Sequence, residues 1–161
     1  MTAEKHLAYE VRQLRWDLER LYKVWPAMHG ATPTQMVEGT AYFEAALIHA
    51  RNLIEFLVRD GSAHDDALTV RDFGLTRYDY ADAARRFESD IGTSEDVVYS
   101  RICTYVSHLS RARDLTVPSW ELQPIEASLC NLMQHFVEQV EAIGSEIPLV
   151  QKALVEETPD W

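Results

Sequence analysis

Arg101 and His108 stand seven residues apart in the run from Arg101 to Arg113, RICTYVSHLSRAR. An α-helix turns once every ~3.6 residues, so this spacing places both side chains along one line of a helix surface. Arg111 and Arg113 close the same run. An imidazole moves protons near neutral pH, and a guanidinium holds phosphate charge. Together they suit RNA cleavage without a metal. In that reaction a 2′-hydroxyl loses a proton, the five-coordinate phosphorus is stabilised and the leaving oxygen is protonated. Thr104, beside Arg101, and Arg111, further round the helix, are candidate substrate-binding groups. One copy supplies each role once, whereas a two-fold axis would pair two such sites. The competing reading makes these residues structural, with Arg101 paired to a carboxylate and His108 filling a polar gap between helices.

The chain that must position them has 161 residues, of which 47% are hydrophobic and 25% charged. That composition is ample for one domain with a real core. We read residues 1–155 as a single helical-bundle domain and 156–161 as a loose tail. The net charge of −11 excludes nucleic-acid binding through the global field, so any contact with RNA needs a local basic patch. The basic residues are twelve Arg and three Lys (Lys5, Lys23, Lys152). Arginine is the better shape for bidentate contacts to phosphate or carboxylate. Cys103 and Cys130 have neither CxxC spacing nor a histidine cluster nearby. They read as free, buried thiols in a reducing compartment. With no apolar leader and no run of ~18 apolar residues, a cytoplasmic protein without a membrane span is expected.

Apolar periodicity predicts an all-α fold, an up-down bundle of four long helices with short extra ones. The first runs from Ala3 to Val24, with Leu7, Val11, Leu14, Leu18, Leu21 and Trp25 as one stripe. The second opens at Pro33 or Thr34 and runs to Arg59. Its buried face is Met36, Phe43, Ala46, Leu47, Ala50, Leu53, Ile54 and Leu57, and Arg51 and Glu55 are spaced to pair. His49, at the edge of that face, reads as a hydrogen-bonded, half-buried histidine. The region from Gly61 to Thr93 is irregular, with a candidate short helix in YADAARRFE. The third long helix starts at Thr93 or Ser94 and reaches about Arg113. Val98, Ile102, Tyr105, Leu109 and Ala112 face inward, and Arg101 and His108 sit partly buried at one edge. The fourth begins near Pro124, buries Ile125, Leu129, Leu132, Met133, Phe136, Val140 and Ile143, and stops at Gly144. Pro148 to Val155 reads as a short last helix. His64, Asp65 and Asp66 are adjacent in sequence and do not converge on one ion, so no metal is expected there. No Gly-rich phosphate loop, nucleophile elbow or dinucleotide fingerprint is present, and no cofactor is expected.

The R-x6-H pattern on the third long helix resembles the motif of the HEPN superfamily, an Arg followed after four to six residues by a His. Ala45 to Leu57, AALIHARNLIEFL, resembles the second helix of uncharacterised bacterial HEPN-like proteins, and VSHLSRAR around His108 is similar in kind. One position departs from the family: Ile102 stands where the residue after the motif arginine is usually polar. The resemblance implies an all-α, often dimeric protein. It further implies a metal-independent ribonuclease of a defence or toxin–antitoxin type, with Arg101 and His108 as the catalytic pair at a homodimer interface. Some members of that superfamily are inactive binding or scaffold versions. The second expectation is therefore a non-enzymatic helical module that binds a protein partner, which the acidic charge suits.

Overall fold

The steps of three and four residues between apolar positions of the first helix generate a stripe that needs a partner along its whole length. A computed structural model, which describes residues 2–24, 32–59, 67–107 and 122–156, supplies that partner. The described residues form six α-helices and one 3-10 turn, with no strand among them: α1 (Ala3–Val24), α2 (Pro33–Leu57), α3 (Tyr80–Ile91), α4 (Glu95–Ser107), α5 (Leu122–Ala142) and α6 (Pro148–Val155). Leu7, Val11, Leu14, Leu18 and Leu21 of α1 are all at most 2% exposed. They pack mainly on α2, with α5 and α6 completing the enclosure. Trp25 lies outside the described residues.

Local chemistry sets the helix ends. Thr32 caps α2: its hydroxyl accepts from the Gln35 N–H at 3.4 Å, while Gln35 Oε1 accepts from the Thr32 N–H at 3.0 Å. Pro33 occupies the first turn, where no N–H is needed. Pro148 opens α6 in the same way, and Arg15 closes that helix from α1. Arg15 Nη1 donates to the carbonyls of Ala153 at 2.7 Å and Glu156 at 2.9 Å, satisfying acceptors that a helix end leaves open. The expected bounds of α1 and α6 match these helices, and the second helix ends at Leu57 rather than Arg59.

From residue 67 onward, the stretch expected to be irregular is more ordered than its composition suggests. Val70–Phe73 makes a 3-10 turn closed by Gly74, whose φ of +84° disfavours any side chain. A Cβ there would also come within 3.2 Å of Ile143 Cδ1. Asp79 then caps α3, its carboxylate accepting from the Asp82 N–H at 2.9 Å, and Gly92 ends it. This helix buries Ala83 and Phe87, one turn apart, against α5. Tyr80, Ala84 and Ile91 are partly buried beside them, and the expected short helix YADAARRFE falls within these bounds. The core draws residues from every helix. At its centre Phe56, Phe73 and Phe136 meet edge to face, with ring centroids 5.1 to 5.7 Å apart.

Two expected core residues are exposed instead. Met36 is 52% exposed, because the first two turns of α2, Gly39 apart, stand clear of the core. Ile143, also 52% exposed, falls just past the end of α5 and lies over Gly74. Cys103 and Cys130 are free as expected, but half-buried rather than buried. Burial and the nearby Glu126 push the Cys130 thiol up to about 11, with Arg15 opposing, so it is not a reactive thiolate.

Candidate functional site

Two residues of the candidate site, Arg101 and Thr104, sit on α4. Ser94 opens the helix, its hydroxyl accepting from the Val97 N–H at 3.4 Å, and Glu95 and Asp96 favour the first turn electrostatically. Val98 and Ile102, one turn apart, fasten α4 to the core, and Ile102 is fully buried. Further along, Tyr105 meets Phe43 of α2 edge to face at 5.2 Å. The Tyr99 hydroxyl donates to Glu55, and the Arg59 guanidinium covers the Tyr99 ring at 4.4 Å and reaches Asp96 Oδ1 at 2.6 Å. Burial, the Glu55 carboxylate and Cys103 together push the Tyr99 phenol up, so it remains a donor.

With α4 fastened in this way, Arg101 and Thr104 are both exposed. They are three residues apart and therefore neighbours on one face. Arg101, expected to be partly buried at the edge of the apolar face, is exposed instead, while Val98 and Ile102 are buried and Tyr99, Tyr105 and Val106 pack partly against the core. His108 and Arg111 lie outside the described residues, as do Leu109, Ala112, Arg113 and the His64-Asp65-Asp66 run. Of the four residues singled out for this site, the structure therefore brings together Arg101 and Thr104. An exposed guanidinium beside a hydroxyl can hold a phosphate oxygen. It cannot by itself move the protons that cleavage requires.

A second polar cluster lies between α1 and α2. His49 Nδ1 is 2.7 Å from Glu10 Oε2, which also accepts from Asn52 Nδ2 at 3.1 Å. The other ring nitrogen, Nε2, is 3.7 Å from Asp17 Oδ2. His6 approaches Glu10 from the solvent side at 3.5 Å, and Tyr9 meets the His49 ring edge-on at 5.7 Å. The half-buried, hydrogen-bonded role expected of His49 is what is found: its side chain is 13% exposed. Its partners were missed. Burial raises the Glu10 carboxyl, but hydrogen bonds from His49 and Asn52 and the charge of His49 outweigh it and leave the group below its ordinary value. Burial pushes the Asp17 carboxyl up to about 6, with only the charge of His49 opposing. The available signal was spacing: Glu10 and Asp17 are seven residues apart, immediately beside Val11 and Leu18 of the apolar stripe.

Among the described residues no group of three or more His, Cys, Asp and Glu side chains is arranged to hold a metal ion. No described helix is long and apolar enough to cross a membrane. Comparison with protein-family models, with curated proteins and with solved structures finds no match for this chain.

Proposed function

We propose that this chain is a HEPN-like up-down helical bundle that cleaves RNA without a metal, as a homodimer in the bacterial cytoplasm, in a defence or toxin–antitoxin role. The observation that carries the reading is the exposure of Arg101 on a helix fastened by Ile102, with Thr104 beside it and His108 seven residues further along the chain. In the proposed mechanism Arg101 binds the scissile phosphate and His108 acts as general base and general acid, with Thr104 and Arg111 holding substrate. Two copies meeting at a two-fold axis would supply a paired Arg/His cleft. The test is cleavage of single-stranded RNA with EDTA present, comparing wild type with Arg101→Ala and His108→Ala. Both variants are expected to fold as wild type by circular dichroism and to lose cleavage by a factor of ~100 or more. Cleavage that survives in both would exclude this site.

A second reading has its own support. Arg12, Arg51, Arg59, Arg85 and Arg86 each meet a carboxylate, on a chain of net charge −11. Arginines neutralised in this way do not build a phosphate-binding field, which favours a non-enzymatic helical module whose acidic surface engages a basic protein partner. Absence of metal-free cleavage by wild-type protein would select this reading.

A further inference from the structure

The seam between α1 and α2 contains charge that packing alone does not need. Glu10 and Asp17 reach His49 from opposite sides, at 2.7 Å on Nδ1 and 3.7 Å on Nε2. Asp17 is 3% exposed, and its Oδ2 accepts no hydrogen bond from any described group. Among the described residues the carboxylates paired with His49 both come from α1. The other charged and titratable groups near the cluster are His6, Tyr9 and Arg20 of α1 and Glu38 and Tyr42 of α2. The acidic residues of α4, Glu95 and Asp96, meet Arg59, just past the end of α2. On α5, Glu126 faces Arg15 and Tyr22 of α1, and His135 pairs within its own helix with Glu138.

We propose that Glu10, His49 and Asp17 form a proton-operated latch between α1 and α2, closed in mild acid and loosened as the pH rises. A charged imidazole presents an N–H to each carboxylate. A neutral one keeps a single N–H, and Nδ1, with the shorter contact, keeps it for Glu10. The Nε2 lone pair then faces a buried Asp17 carboxylate, and the seam holds an uncompensated charge. The protonation of Asp17 acts in the same direction. Its value in the fold, about 6, lies above its ordinary 3.8, so its favourable contribution is full below the ordinary value and is lost as pH climbs through about 6. Glu10 acts oppositely, losing its contribution as pH falls through its lowered value. The latch is therefore tightest in the acid window between the two.

The test is amide hydrogen exchange on the full chain between about pH 4 and pH 8, expressed as protection factors for α1. It reads structure rather than cleavage, so it stands or falls separately from the ribonuclease reading. Asp17→Asn keeps the shape and removes the charge. Its α1 amides are expected to be more protected than wild type at neutral pH, on the order of tenfold, with the two proteins converging by about pH 4. Identical profiles, or lower protection in Asp17→Asn at neutral pH, would overturn the latch. His49→Gln gives a second test. Its α1 is expected to be less protected than wild type, because Glu10 loses the 2.7 Å partner that His49 Nδ1 supplies and stays buried in the seam. Protection equal to or above that of wild type would also overturn the proposal.

Discussion

On one flank of α2, His49 and Asn52 meet Glu10 and Asp17 inside the seam with α1; on the other, Glu55 and Arg59 meet Tyr99, Glu95 and Asp96 at the rim of the seam with α4. The side chains of Glu10 and Asp17 are 11% and 5% exposed, whereas that of Asp96 is 75% exposed. Similar chemical groups therefore do different things. At the α1 seam the charges have left water, and each must find a partner or carry a desolvation cost. At the α4 seam water screens the Arg59–Asp96 pair, although the Glu95 side chain is only 18% exposed, and apolar packing by Val98, Ile102 and the Phe43–Tyr105 pair does most of the holding. The helix proposed to carry the RNA-binding arginine is thus fastened from beneath. The helix pair with no assigned chemistry holds the more finely balanced charges.

The difference breaks most readily at Glu10. Glu10→Ala strands His49 and Asn52 in the α1 seam and is expected to destabilise the protein by about 3–5 kcal/mol in urea unfolding at neutral pH. That cost should shrink on acidification, because the stability Glu10 contributes above its ordinary value is lost as pH falls through its lowered one. A cost as large at pH 3 as at pH 7 would mean that packing, not charge, is what Glu10 supplies. Next in size, Ile102→Ala opens a cavity under α4 and should cost about 2–4 kcal/mol, with no dependence on pH. The smallest effect is expected at the rim. A double-mutant cycle on Arg59 and Asp96 should give a coupling below about 1 kcal/mol, falling further in high salt. A coupling as large as that at Glu10 would erase the contrast between the two seams.

Much of the scaffold was legible because helix formation is a local matter. The stripe of α1, the opening of α2 at Pro33 and the limits of α6 all follow from residues within a few positions of one another. The free cysteines and the Arg51–Glu55 pair were legible for the same reason. Burial at the margins was not. Met36 and Ile143 fit their apolar faces by periodicity and are exposed, because periodicity says which face turns inward and not how far the neighbouring helix extends. Arg101 differs from its expectation for the same reason. Asp17 and Glu10 read as ordinary polar neighbours of the stripe until α2 places His49 between them.

The amino-acid order alone determined that the described residues are largely helical and where α1 and α6 begin and end. Each follows from backbone hydrogen bonding and side-chain pattern within one segment. Only the tertiary structure decided that Ile102 is buried under α4 while Arg101 is exposed, and that α1 and α2 close over a histidine held between two carboxylates. Burial, partner choice and the resulting shifts in proton affinity depend on which surfaces meet, and the groups that meet here are as far apart in sequence as Glu10 and His49.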